Sequence, residues 1–202
     1  CYNSFIKFST EERYKTMTKV TLLGDSIRQN YTEKTIELLG DDFEVFSPED
    51  NCRFSKYTLR GIFDSWAADM AGSDIIHWNN GHWDTCNLFG DGHFTPEDEY
   101  VRNMLRIADQ LQKKYKKVIF ATITPVRDAH THHKTADSIK FNNLIVPELE
   151  KRGIIINDLF SVVIKDVDKY IREDDNIHLT DAGKEVCAEQ VARVIKEVAK
   201  TL

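Results

Sequence analysis

The sequence predicts an α/β fold in which helices cover a five-stranded parallel sheet. From residue 18 onward, short apolar runs alternate with longer amphipathic ones, which is the pattern of strands joined by crossover helices. The chain has 202 residues, enough for one domain to bury a substantial core without disulfide support. We find no internal repeat and no low-complexity tract in the sequence.

Five short apolar runs are the predicted strands. The first run stops at Gly24, as a buried strand does before a tight turn, and the other four are bounded by polar or turn-forming residues. The predicted strands are Val20–Leu23, Phe43–Phe46, Asp74–Trp78, Val118–Ile123 and Ile154–Asn157.

Three helices have clear sequence signals. One follows the third strand, with Thr95 as its predicted N-cap, Pro96 as its first helical residue and apolar residues at helical spacing after them. A second is predicted over Ser138–Lys151, where Pro147 should bend or shorten it. The last is predicted over Asp181–Lys200, where apolar residues again recur at helical spacing.

Composition limits the classes of protein to consider. Hydrophobic residues make up 41% of the chain, charged residues 30%, and the net charge is -6, which disfavours a nucleic-acid partner. The four cysteines form no CxxC pair, so we expect reduced thiols and no zinc site. No run approaches the roughly 20 apolar residues of a membrane span. We therefore expect a cytoplasmic protein without a membrane partner.

The chain divides into two parts at Met17. We expect residues 1–16 to be an N-terminal extension or a cloning remnant, because Met17 could be an original start. Residues 17–202 form the predicted domain.

Polar residues follow each predicted strand. Right-handed crossovers bring the carboxyl ends of parallel strands to one edge of the sheet, where α/β proteins bind their ligands. Five segments should meet there: Gly24–Ser26, Asn51–Lys56, Asn79–Asp84, Thr124–Arg127 and Asp174–His178.

Two of these segments carry the residue types of a catalytic triad. Ser26 begins a helix, where unpaired backbone N–H groups and the positive end of the helix dipole suit an oxyanion. Asp175 precedes His178 by three residues, so its carboxylate can accept from the ring Nδ1–H and leave Nε2 free to take a serine proton. The alternatives are that Ser26 only caps the helix and that His178 is a solvated surface residue.

These segments resemble blocks of a known family. Gly24-Asp25-Ser26-Ile27 and Asp175-Asn176-Ile177-His178 look like the first and last blocks of the GDSL, or SGNH, hydrolases, and the resemblance covers residues 18 to 200. It implies a flavodoxin-like, three-layer α/β/α fold and an esterase or acyl-transfer activity. By the same resemblance, Ser26 is the nucleophile, His178 the general base and Asp175 the residue that orients His178.

The second block departs from the family pattern. The family has an Asn-x-Gly-x-Ser-Gly pattern, whereas this chain carries Arg53 and Lys56 at the two glycine positions of Asn51–Lys56. A backbone N–H survives any such replacement except proline. The amides of Ser26 and Lys56 are therefore the predicted backbone donors of the oxyanion hole.

The third block leaves two alignments open. The family has Gly-x-Asn-Asp, and alignment on Gly81 puts Trp83 where the oxyanion-binding Asn should be. An indole cannot copy the reach of a carboxamide, so we assign the third oxyanion donor to Asn79. The run Asn-x-Gly-His-Trp also resembles the corresponding block of polysaccharide O-acetyl-transferring relatives.

Other residues near the predicted site have two interpretations. Trp83 is a candidate for substrate binding by stacking on a sugar, with core packing as the alternative. Asp25 is expected to bond backbone N–H groups of the turn rather than act as an acid. His130, His132 and His133 lie in a polar loop that could border the pocket, and we expect no metal site there.

The predicted function is that of a serine esterase, which acts through an acyl-enzyme and needs no metal or cofactor. Its substrate is expected to be a small-molecule or carbohydrate ester with a short acyl group, and family analogy favours an O-acetyl carbohydrate. One alternative is an O-acyltransferase with the same triad, in which an alcohol rather than water takes the acyl group. The other is a non-catalytic α/β module that binds a ligand or protein at the same edge. The oligomeric state does not follow from the sequence.

Overall fold

The computed structural model describes residues 17–202, so the predicted extension at residues 1–16 lies outside the described residues. Five parallel strands form one sheet in the order β2-β1-β3-β4-β5. The predicted α/β fold with a five-stranded parallel sheet is confirmed. The strands are β1 (Thr18–Leu23), β2 (Phe43–Phe46), β3 (Ile75–Trp78), β4 (Lys117–Ala121) and β5 (Ile155–Asn157).

Helices cover both faces of the sheet. The first and last long helices pack with Val20, Leu22 and Ile75 on one face, while the helices between β2 and β5 pack with Ile76 and Phe120 on the other. This arrangement gives three layers with two apolar cores. The helices are α1 (Ser26–Leu39), α2 (Ser55–Gly61), α3 (His82–Thr85), α4 (Glu97–Lys114), α5 (Thr135–Glu150), α6 (Leu159–Val163), α7 (Val167–Tyr170) and α8 (Asp181–Ala199), with a 3₁₀ turn at Ile164–Asp166. None of the helices within residues 17–202 is long and apolar enough to cross a membrane.

The direction of winding reverses between β1 and β3. The chain places β2 on one side of β1 and β3 on the other, so the loops after β1 and β3 leave the sheet side by side. Parallel α/β sheets bind ligands at such a switch point. The segments that begin at Gly24 and Asn79 therefore start from neighbouring strand ends.

The prediction that Pro96 is the first helical residue was wrong, and the shortening predicted at Pro147 does not occur. Pro96 was predicted as the first helical residue, but α4 begins at Glu97, and Pro96 precedes it with an extended ψ of 146°. The hydroxyl of Thr95, the predicted N-cap, bonds Asp84 instead. Pro147 does not shorten α5, which continues to Glu150. Pro147 lies on the exposed side of α5, where water can satisfy the carbonyl that loses its helical partner.

Strand β4 ends earlier than the sequence predicts. It stops at Ala121 rather than Ile123, because the side chain of Asn142 in α5 takes over the hydrogen bonds of the Ile123 backbone. Asn142 Oδ1 accepts from the Ile123 amide, and its Nδ2 donates to the Ile123 carbonyl, both at 2.9 Å. The Asn142 side chain thus takes the place of the neighbouring strand as hydrogen-bond partner of the Ile123 backbone.

The described cysteines are free thiols. Cys52, Cys86 and Cys187 are buried and none is bonded to another cysteine, as predicted. Cys52 lies under the turn that follows β1, where it accepts a hydrogen bond from the Gly24 amide at 3.2 Å.

Candidate active site

Close packing shapes the turn between β1 and α1. A Cβ atom at Gly24 would lie 1.7 Å from the Oδ1 atom of Asn79 and 2.7 Å from the Cβ of Arg28, so only glycine fits. The Gly24 carbonyl accepts from the Cys52 amide at 3.0 Å, which ties the turn to the chain after β2. The chain therefore leaves β1 at one defined angle and enters α1 at Ser26.

Asp25 is the N-cap of α1. Its Oδ1 atom accepts from the Ile27 amide and from the Asn79 side-chain amide, each at 3.0 Å. These bonds confirm the prediction that Asp25 serves the turn. Burial raises the pKa of Asp25, although the two hydrogen bonds and the charge of Arg28 act in the opposite direction.

A buried arginine supports the turn, and the sequence analysis missed it. Arg28 is almost fully buried and donates to the carbonyls of Gly24, Pro48 and Asp50 and to the hydroxyl of Ser47, at 2.7 to 3.2 Å. The four acceptors bind the two terminal nitrogens of the guanidinium, whereas its buried Nε atom has no hydrogen-bond partner among residues 17–202. Arg28 thereby fixes the Ser26 turn against the segment after β2.

The structure brings together the three predicted triad residues. Ser26 Oγ and His178 Nε2 lie 2.8 Å apart, and His178 Nδ1 lies 3.1 Å from Asp175 Oδ2. Both distances are within hydrogen-bond reach although 152 residues separate Ser26 from His178. The arrangement can move a proton from the hydroxyl to Nε2 while the carboxylate holds the ring.

The Asp175 loop is organised by bonds within four residues. Asp175 Oδ1 accepts from the amides of Ile177 and His178 at 3.1 and 2.9 Å, and Asn176 takes a left-handed φ of 65° that asparagine tolerates. Partial burial acts to raise the pKa of Asp175, but these amides and the His178 ring lower it overall. The neighbouring Asp174 pairs with Arg172 instead.

One side chain links the two ends of the chain at the site. Asn30, one turn after Ser26 in α1, accepts from the Leu179 amide at 3.0 Å. This bond sets the position of the His178 loop relative to the serine. The link joins residues 149 positions apart, so no local pattern in the sequence could have predicted it.

The predicted oxyanion donors differ in position. Asn79 is buried beside the Ser26 turn, where its side-chain amide donates to Asp25. The side chain of Lys56 points away, pairs with Glu99 at 2.5 Å and lines a groove on the outer side of α2. Its backbone amide lies in the first turn of α2, where no preceding turn supplies a carbonyl. The roles of Asn79 and Lys56 stay predictions.

Arg53 shows what the family glycine at this position does. Arg53 has a left-handed φ of 50°, a conformation that glycine adopts without strain. The turn is held because the Arg53 amide donates to Asn51 Oδ1 at 2.8 Å and its carbonyl accepts from Asn80 Nδ2 at 2.9 Å. The guanidinium also lies 4.6 Å over the ring of Tyr57. These contacts preserve the glycine-type turn with an arginine in place.

A buried carboxylate fixes α2, and the sequence analysis gave it no role. Asp84 accepts from the Ser55 amide at 3.0 and 3.1 Å and from the Ser55 hydroxyl at 2.7 Å. Burial raises the pKa of Asp84 to about 6. Because Ser55 precedes Lys56, Asp84 holds the helix turn that carries the Lys56 amide.

The triad opens into a pocket of about 410 Å³. Its apolar wall consists of Trp83, Cys86, Leu88, Phe94 and Ile177. Its polar wall consists of Ser26, Asn51 and the four histidines 82, 130, 133 and 178. Trp83, the predicted substrate-binding residue, lines this pocket and is about two-fifths exposed, whereas Trp78 is buried in the core.

The histidine loop borders the pocket rather than standing apart from it. His133 packs edge-on against both His82 and His130, and burial lowers the pKa values of His82 and His133 to about 3. These two imidazoles are therefore neutral at physiological pH. Within residues 17–202 no group of three histidine, cysteine or acidic side chains is suited to a metal ion.

No protein-family model matches the chain. A curated relative is the Arabidopsis thaliana protein named GDSL esterase/lipase CPRD49, which is 32% identical over 150 residues. The matched segment is 67% of this chain and spans 59% of that protein's length. The resemblance to the GDSL, or SGNH, hydrolases is confirmed.

Solved structures share the fold. An acetyl xylan esterase, AlAXEase, superposes with a TM-score of 0.72 at 20% identity, over 88% of this chain and 99% of that one. A lipase/acylhydrolase from Enterococcus faecalis superposes with a TM-score of 0.71 at 15% identity, over 90% of this chain and 96% of that one. The acetylxylan esterase Axe2 from Geobacillus stearothermophilus superposes with a TM-score of 0.72 at 13% identity, over 87% of this chain and 93% of that one. At these identities the likeness shows a common three-layer fold.

Proposed function

We propose that the protein is a serine esterase. The observation that carries the proposal is the hydrogen-bonded series Ser26, His178 and Asp175, with separations of 2.8 and 3.1 Å. Its position at the switch point of the sheet and its opening into a pocket support the same function. The relationship to a protein named as an esterase/lipase adds to this support.

The proposed reaction has two halves. Ser26 Oγ attacks the ester carbonyl carbon while its proton passes to His178 Nε2, and the resulting tetrahedral intermediate expels the alcohol, which takes that proton. The acyl group is now bonded to Ser26. Water then attacks the acyl carbon as His178 takes its proton, and collapse releases the carboxylic acid and returns the proton to Ser26 Oγ.

Charge develops on the carbonyl oxygen in both halves. The amide of Ser26, the amide of Lys56 and the side-chain amide of Asn79 are the proposed donors to this oxyanion. Asn79 is buried next to the Ser26 turn, and Asp84 fixes the first turn of α2 that carries Lys56. The carboxylate of Asp175 offsets the positive charge on His178 while the oxyanion exists.

The acyl group is proposed to be short, with an O-acetyl carbohydrate as one substrate class. The carbohydrate part of this proposal draws its support from two proteins of the same fold whose names are acetylxylan esterases. Those proteins are 20% and 13% identical to this chain, and a shared fold carries many substrates. The ester chemistry is therefore the firmer part of the proposal.

A fluorophosphonate probe tests the nucleophile directly. The expected result is one adduct at Ser26, mapped by mass spectrometry, together with hydrolysis of p-nitrophenyl acetate that Ser26→Ala abolishes. Ser65→Ala is the matched control, because Ser65 is an exposed serine that bonds only the adjacent Asp64. Labelling of another serine, or full activity in Ser26→Ala, would refute the assignment.

A further inference from the structure

The loop between α3 and α4 carries an unusual concentration of exposed apolar side chains. Leu88, Phe89 and Phe94 are 47%, 83% and 48% exposed, and Trp83 in α3 is 41% exposed. Three of them, Trp83, Leu88 and Phe94, line the pocket beside Ser26. Exposed apolar residues that cluster at the mouth of a pocket mark a binding surface.

Backbone hydrogen bonds hold this loop in place. The Phe94 amide donates to the Cys86 carbonyl at 2.7 Å and closes the loop at its base. The Asn87 amide donates to the His132 carbonyl at 2.9 Å and ties the loop to the histidine loop. The Phe94 ring packs against Phe54 with centroids 5.4 Å apart. The apolar side chains are therefore fixed at the pocket and cannot enter the core.

Among the described residues, the wall of the pocket carries no acidic or basic side chain other than histidine. His82 and His133 are kept neutral by burial, and the Nε2 atom of His82 is already paired with Thr124 Oγ1 at 2.9 Å. Sugar hydroxyls buried against such a wall would lose hydrogen bonds to water and find few replacements.

The volume of the pocket also indicates that it accepts a group larger than acetyl. A water molecule occupies about 30 Å³ in the liquid, so a pocket of about 410 Å³ holds roughly a dozen heavy atoms. An acetyl group next to Ser26 fills only a small part of it. The rest of the pocket has room for another part of the ester.

We infer that the preferred substrate is an uncharged ester with an alkyl or aryl group of about ten heavy atoms on one side of the carbonyl, bound against Leu88 and Phe94. This inference rests on the proposed esterase function and narrows it to apolar esters rather than carbohydrate acetates.

A series of alkyl esters with similar carbonyl reactivity tests the inference. The panel is ethyl acetate, hexyl acetate, ethyl hexanoate and acetylated xylobiose, followed by proton release at constant pH. Each methylene that leaves water should raise kcat/KM by about two- to fourfold, so hexyl acetate or ethyl hexanoate should exceed ethyl acetate by about tenfold or more. The member that gains identifies the side of the carbonyl that enters the pocket.

Substitutions in the loop connect the preference to its cause. Phe94→Ser and Leu88→Ser should each lower the ratio of kcat/KM between the long ester and ethyl acetate by about threefold or more. Phe63→Ser is the control, because Phe63 is an exposed ring that lines the separate groove beside Lys56 and not the pocket. Circular dichroism verifies the fold of each variant.

The outcomes separate the two proposals. Ser26-dependent hydrolysis with a flat response to chain length, or with acetylated xylobiose as the best substrate, would overturn the apolar-ester inference and leave the esterase function standing. An unchanged ratio in both Phe94→Ser and Leu88→Ser would also overturn it. Failure to hydrolyse any ester would overturn both.

Discussion

The two ends of the chain that meet at the active site are held in different ways. The Ser26 end is buried, and its turn depends on Arg28, Cys52 and Asn79, which bond across long stretches of sequence. The His178 end is about one-third exposed, and Asp175 organises it through bonds within three residues. Tertiary packing thus positions the serine, whereas Asp175 orients the histidine ring within its own loop and single long-range bonds from Asn30 and Arg127 anchor that loop.

This difference separates catalytic effects from effects on stability. A change in the Asp175 loop removes few buried contacts, so it should alter the chemistry while the fold survives. A change around Ser26 disturbs buried hydrogen bonds and close packing, which lowers the free energy of unfolding as well as the rate. Variants at each end can test whether the contrast holds.

The largest expected effect is that of Asp175→Asn. An asparagine amide cannot accept from Nδ1–H in the same way as the carboxylate, so the ring loses its orientation and kcat should fall by about 10⁴-fold, the loss that the same change causes in the trypsin triad. The melting temperature should change little. Asp174→Asn is the matched control, because Asp174 pairs with Arg172 at the surface, and its kcat should stay within about threefold. The reverse ranking of the two variants would move the role to Asp174.

The next effect is that of Asn79→Ala. Loss of one oxyanion donor costs about 10² to 10³ in kcat, with a smaller change in KM. Asn80→Ala is the comparison, because Asn80 is bonded to Trp78, to the Arg53 carbonyl and to Thr58 and should lose stability more than rate. Steady-state kinetics and urea titration of both variants measure the two effects. Near-normal kcat in Asn79→Ala would exclude it as a donor.

Gly24→Ala probes the packing of the buried end. The new methyl group would overlap Asn79 and Arg28, so the free energy of unfolding should fall by about 2 to 3 kcal/mol. Gly153→Ala is the control, because Gly153, in the turn after α5, has a left-handed φ of 73° with no atom within 4 Å of the added group, and should cost about 1 kcal/mol. Equal losses in urea titration would contradict the packing argument.

The last effect concerns pH and changes stability gradually, without any substitution. Burial lowers the pKa of His77 in β3 to about 3, so between pH 6.5 and 3 the unfolded chain binds a proton there that the native protein does not. The free energy of unfolding should therefore fall as pH drops, by about 1.4 kcal/mol per pH unit from this residue in the middle of that range.

His77→Gln isolates this contribution. The glutamine oxygen can still accept from Asn157 Nδ2, which lies 3.0 Å from His77 Nε2, and it cannot titrate. Near pH 5, the slope of the free energy of unfolding against pH should fall by about 1.4 kcal/mol per pH unit, which corresponds to one proton. An unchanged slope in the variant would contradict the assignment. The pKa of Asp175 is lowered instead, so its contribution to stability is present above its ordinary pKa and is lost only as pH falls through the lowered value.

Local patterns explain what the sequence could predict. The apolar runs identified all five strands, and the spacing of Asp175 and His178 predicted their mutual hydrogen bonds, which are local to the loop. Ser26 was singled out because it follows a strand and begins a helix. Each of these inferences uses neighbours in the chain.

Long-range bonds explain what the sequence could not predict. Arg28 donates to the carbonyls of Pro48 and Asp50, which lie 20 and 22 residues away in the sequence. Asn30 accepts from the Leu179 amide, 149 residues away. Asn142 ended β4 early in the same manner, with a side chain from another element. The groups that position the serine therefore emerge only when the sheet brings distant segments together.

The contact between Gly24 and Cys52 gives the serine turn a chemical reporter of its motion. Burial raises the pKa of the Cys52 thiol to about 11, so the thiol stays protonated and unreactive while the turn is closed. A maleimide can modify it only after the segment opens, and the modification rate then follows the opening equilibrium of the nucleophile turn. Thiol trapping, with Cys1, Cys86 and Cys187 replaced, would thus measure the local opening of the Ser26 turn without reference to turnover.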